Sequence, residues 1–84
     1  MGKVTYFAML GFGASRDNPI GIARRRIVDD VRFDEVFTRN LRWEPTEYFV
    51  LYMLGHNEIE HVEINKQEAD AFVARISARA TRDG

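Results

Sequence analysis

Three stretches of this 84-residue chain bring together residue types that could do chemistry: a glycine loop, an arginine triplet, and a run of histidines and glutamates. The first, LGFGASRDNP from Leu10 to Pro19, follows the apolar run VTYFAML. Gly11 and Gly13 occupy the first two glycine positions of a dinucleotide-binding loop, in which backbone amides meet a pyrophosphate at a helix start. The third position holds Arg16, whose side chain would hold helix and strand apart, and Asp17-Asn18-Pro19 stands where the helix should begin. No Gly-Lys-Ser/Thr follows to make a Walker-type loop. The stretch is expected to be a hairpin loop whose glycines supply dihedrals other residues avoid.

Arg24, Arg25 and Arg26 form the sharpest basic feature. On a strand, Arg24 and Arg26 point one way and Arg25 the other, so the three do not make a single patch. Asp29, Asp30 and Asp34 lie close enough in sequence to pair with them across a hairpin, and solvated ion pairs are the expectation. The alternative is an anion or nucleic-acid contact, which arginine suits through its bidentate fork.

His56, Glu58, Glu60, His61 and Glu63 carry metal-ligand chemistry. If the segment is extended, the first three share one face and the last two the other. Ligands spread around a loop after Gly55 are poorly organised for the converging set a metal needs, so no metal and no cofactor are expected. Ser15 and Ser77 are the only serines, and neither sits in a nucleophile elbow. Catalytic residues are not identified, and an enzyme is the less favoured reading.

Composition narrows the field further. There is no cysteine, which removes disulfides, thiolate zinc sites and a cysteine nucleophile together. Twelve basic and 13 acidic residues give a net charge of −1, whereas a domain built to neutralise phosphates carries a positive excess. With 45% hydrophobic and 30% charged residues, a folded single domain over residues 1–84 is expected. Lys3 before VTYFAMLGFGA only faintly imitates a signal peptide, and no apolar run approaches the ~20 residues of a membrane helix. A soluble, unprocessed protein with no membrane partner is the expectation.

These residues need a frame. Val4 to Leu10 reads as a central strand, apolar on both faces. Ile20 to Val28 reads as a second strand, Asp29-Asp30 as a tight reversal, and Val31 to Thr38 as a third. Pro45 breaks any strand, and Thr46 and Gly55 bracket a short helix, although YFVLYML also has strand character. EIEHVEI is a strand with Val62 and Ile64 inward. Asn65 with Glu68 makes a capping box ahead of Ala69, Phe72, Val73, Ile76 and Ala80 at helical spacing. The expected fold is α+β: an antiparallel sheet of three to four strands, with a short helix and a longer C-terminal helix packed on one face.

The segments YFAML, PIGIARRRIVDD, LRWEPTEY and HVEINKQEADAFVARI give the chain a resemblance to a group of short actinobacterial proteins of unknown function. The resemblance implies a cytoplasmic bacterial protein and assigns no residue a role.

Ten aromatics are many for a core this small. Trp43, Tyr48 and Tyr52 sit among charged or turn residues, or on a helix apolar all round, and are expected to be half-exposed. Together with Arg39 and Arg42 they form the expected partner-binding surface of a small non-enzymatic protein-interaction module, its partner another protein or a second copy in a homodimer. A nucleic-acid-binding module using the arginines is the alternative, and a small-molecule binder or enzyme the next.

Overall fold

The structure, a computed structural model, describes residues 2–11, 14–15, 18–55 and 59–83, the last four as backbone only. Five strands form one antiparallel sheet: β1 (Lys3–Leu10), β2 (Gly21–Val28), β3 (Val31–Phe37), β4 (Trp43–Pro45) and β5 (Glu60–Ile64). Helix α1 (Tyr48–Met53) lies between β4 and β5, and helix α2 (Lys66–Asp83) ends the fold. The strand order is β4-β3-β2-β1-β5, so α1 carries the chain from one edge of the sheet to the other.

Turn chemistry sets the hairpins. Asp29 and Asp30 both have positive φ, 52° and 66°, which is the two-residue reversal whose twist suits flanking strands, and Val28 pairs with Val31 across it. The glycine stretch joins β1 to its antiparallel neighbour β2; Ile20 N donates to Met9 O, and Ser15 and Asn18 exchange backbone hydrogen bonds within it. Phe12, Gly13, Arg16 and Asp17 lie outside the described residues, but the strand–loop–strand order is that of a hairpin and not of a phosphate-binding strand–loop–helix.

β1 alternates between two layers. Tyr6, Ala8 and Leu10 pack with Ile22, Ile64, Ala69 and Phe72 under α2. Phe7 and Met9 pack with Ala23, Tyr48 and Phe49 under α1. The helices therefore cover opposite faces of the sheet, which corrects the expectation that both lie on one. A strand apolar on both faces needs cover on both, and β1 has it. Ala8 and Ala69, both fully buried, let α2 approach the strands closely.

Among the described residues the strand count is five, not three to four. β4 was hidden by Pro45, which a short edge strand tolerates because no ladder bond is lost in the sheet interior. α1 settles the helix-or-strand ambiguity of residues 46–54, with Thr46 Oγ1 accepting from Tyr48 N at 3.2 Å. The capping box of α2 forms in both directions, Glu68 N to Asn65 Oδ1 at 2.8 Å and Asn65 N to Glu68 Oε1 at 3.1 Å. Among the described residues no helix is long and apolar enough to cross a membrane.

Candidate interaction surface

The arginine triplet splits between the two faces as strand alternation requires. On the α2 side, Arg24 Nε and Arg26 Nε each donate to Glu35 Oε1 at 2.8 Å, and Arg26 Nη2 donates to Oε2 at 3.2 Å. On the α1 side, Arg25 Nε donates to Asp34 Oδ1 at 3.0 Å, and Arg32 lies 3.4 Å from the other oxygen of that carboxylate. The bond from Arg26 holds the Glu35 carboxyl below its ordinary pKa, against some opposition from burial. All three arginines are also stacked: Arg24 over Trp43 at 4.2 Å, Arg25 over Phe49 at 4.8 Å, and Arg26 over Phe33 at 5.1 Å.

Arg39 and Arg42 lie in the β3–β4 turn and Trp43 opens β4; by register Trp43 faces the α2 side, and Glu44, the partner of Arg42, faces the α1 side. Arg39 is exposed, and Arg42 Nε donates to Glu44 Oε2 at 2.8 Å. That bond, with a second from Asn40, lowers the Glu44 pKa. Trp43 is half-buried against Tyr6 and Phe37 on the α2 side. Tyr48 and Tyr52 belong to the α1 side, so the sheet separates Trp43 from the two tyrosines. Tyr48 is also buried, 5% exposed, which corrects the expectation of a half-exposed ring. Its ring packs against Ala23 and Phe49, and its hydroxyl is used inside the fold.

The densest chemistry surrounds His61, which sits opposite Met9 on β5. Phe7, Tyr48, Phe49 and Tyr52 stand edge-on to its ring, at centroid distances from 4.7 to 5.4 Å. Tyr48 Oη donates its one proton to Ile59 O at 2.5 Å and lies 2.9 Å from His61 Nδ1. The tyrosine oxygen can then only accept from the histidine, so Nδ1 carries the proton of the neutral ring. Burial lowers the His61 pKa, Arg25 lowers it further, and Glu60 partly opposes them. Burial also pushes Tyr48 up to about 12. Tyr52 Oη donates to Glu60 Oε2 at 2.6 Å, which raises the tyrosine pKa and ties the end of α1 to the start of β5. Sequence spacing did not reveal this box, because its rings come from β1, α1 and β5.

Among the described residues no three His, Asp or Glu side chains stand together as metal ligands, and His56 and Glu58 lie outside those residues. A cleft of about 170 Å³ beside α2, lined by Ile22, Phe72 and Arg75 among others, is smaller than the usual ~300 Å³ lower limit for ligand pockets. A more open one of about 390 Å³ lies between the start of β1 and the end of β5, lined by Lys3, Tyr6, Glu63 and Lys66 among others.

The outer side of α1 is apolar and exposed, as are Val4, Val28, Val31 and Phe33 at the β2–β3 hairpin end of the sheet. Val50, Leu51, Met53 and Leu54 are 46, 39, 78 and 65% exposed within five consecutive positions. α1 is apolar all round; the sheet side covers Tyr48, Phe49 and part of Tyr52, and solvent meets the rest. None of Val50, Leu51, Met53 and Leu54 is among the expected partner-binding residues; the signal for them was YFVLYML read as a helix with more apolar faces than one sheet can bury. No family model, curated protein or solved structure significantly matches the chain.

Proposed function

We propose that this chain is a protein-interaction module that self-associates through the outer side of α1. The observation that carries this reading is the exposure of Val50, Leu51, Met53 and Leu54 as one contiguous patch. Single exposed apolar residues are ordinary, whereas a patch of a few hundred Å² marks an interaction site. A second copy supplies the same apolar patch about a two-fold axis, which makes the surface its own complement. A net charge of −1 adds little long-range repulsion between copies.

The nucleic-acid alternative has less support. Arg24, Arg25 and Arg26 each bond a carboxylate within the sheet, which leaves little unmatched charge for phosphates. It would require binding at low salt that falls steeply as salt is added.

Sedimentation equilibrium of the protein and of Met53→Glu/Leu54→Glu tests the reading. Both positions are exposed, so the variant keeps its fold and is expected to be monomeric where the parent is dimeric. A parent that stays monomeric, or a variant that still associates, would contradict the reading.

A further inference from the structure

The two edges of the sheet are not equivalent. β4 is three residues long and ends in Pro45, which has no amide proton, so that edge is blunt. β5 has five residues, no proline, and among the described residues no strand on its outer side. Its unpaired backbone groups are a template for another strand.

Resting on the self-association reading, we propose that two copies pair antiparallel along β5, centred on Val62, into one ten-stranded sheet. A two-fold axis through the sheet keeps each layer on its own side, so residues facing one another must share a face. Three registers meet that condition near the strand centre. Centring on Val62 sets Val62 against Val62, His61 against Glu63 and Glu60 against Ile64 of the second copy, and all five residues are paired. Centring on Glu63 pairs three residues and sets two carboxylates face to face, and centring on His61 pairs three and sets the two histidines together. Like charges directly opposite are unfavourable, so the Val62 register combines the longest ladder with no like-charge pair.

A five-residue strand pair alone covers less than the roughly 800 Å² per partner of a stable interface. The Tyr52–Glu60 hydrogen bond brings the end of α1 to the start of β5, where the exposed Met53, next to Tyr52 in the chain, adds apolar area. The need for a partner also fits the small core, in which Ile22 is the largest fully buried side chain among the described residues.

The chain has no cysteine, so single introduced thiols report the register. In the proposed dimer the two Val62 residues face each other, within disulfide reach, whereas the two Glu60 residues lie about 13 Å apart along the strands. Mild oxidation is expected to convert Val62→Cys to a covalent dimer and to leave Glu60→Cys uncrosslinked. Amide exchange of the unmodified protein provides a measurement free of substitution, with β5 amides slowing as protein concentration rises. A sedimenting dimer with no Val62→Cys crosslink and unchanged β5 exchange would overturn strand pairing while leaving self-association intact. Equal crosslinking of Glu60→Cys would overturn the register. A monomer at the highest soluble concentration would overturn both the pairing and the reading beneath it.

Discussion

Tyr48 and His61 share a hydrogen bond whose direction is fixed by a third group, because the tyrosine proton is already committed to the Ile59 carbonyl. One hydroxyl thereby joins α1 to the approach and the second residue of β5. Tyr48→Phe keeps the ring in its pocket and leaves the Ile59 carbonyl and the histidine without this partner. A loss of about 1–3 kcal/mol is expected, read from urea unfolding with an unchanged m-value.

The same pair predicts a pH dependence. Burial sets the folded pKa of His61 below its ordinary 6.5, so the unfolded chain binds more protons in the window between the two values. The stability tied to neutral His61 is complete above about pH 6.5 and is lost as pH falls through the folded pKa. Unfolding free energy measured from about pH 7 to 5 should therefore fall on acidification. His61→Gln should flatten that slope, and an equal slope in the variant would disprove the assignment.

Glu35 and Glu44 are both bonded to arginines and are predicted to differ in weight. Glu35 serves Arg24 and Arg26 with a side chain 14% exposed, whereas Arg42, the partner of Glu44, is 72% exposed. Glu35→Gln should destabilise by about 1.5–3 kcal/mol, the range for hydrogen bonds to charged groups. Glu44→Gln should change stability far less, since exposed pairs are screened and entropically costly. The Glu35 contribution is present above the ordinary carboxylate pKa and is lost as pH falls through its depressed folded value.

Leu41 holds φ at 61° in the β3–β4 turn, where its amide donates to Thr38 O. A leucine there meets its own carbonyl sterics, a cost of roughly 1–2 kcal/mol that asparagine or glycine largely avoids. Leu41→Asn should be neutral to stabilising in thermal unfolding. A clear loss would mean that the partly exposed leucine side chain makes contacts worth more than the strain.

Much of this fold was legible because local signals agreed with their surroundings. Asp29-Asp30 could serve as a reversal, Asn65 and Glu68 could cap a helix, and the apolar run of β1 demanded a central position. β4 escaped notice because Pro45 reads as a breaker, and only an edge position makes it harmless. The opposed helices were implied by Phe7 and Tyr6 pointing opposite ways, yet strand order decides which layer covers which. The candidate surface suffered most. Trp43, Tyr48 and Tyr52 look alike in sequence, but the sheet separates the first from the others, and the Ile59 carbonyl that takes the Tyr48 hydroxyl lies 11 residues away. What solvent meets instead is the side of α1 left over after the sheet takes its share.

Sedimentation equilibrium of the parent beside Met53→Glu/Leu54→Glu tests the central claim most directly. A concentration-dependent dimer that becomes a folded monomer in the variant is the predicted result. A parent monomeric throughout, or a variant dimer as tight as the parent, would contradict it.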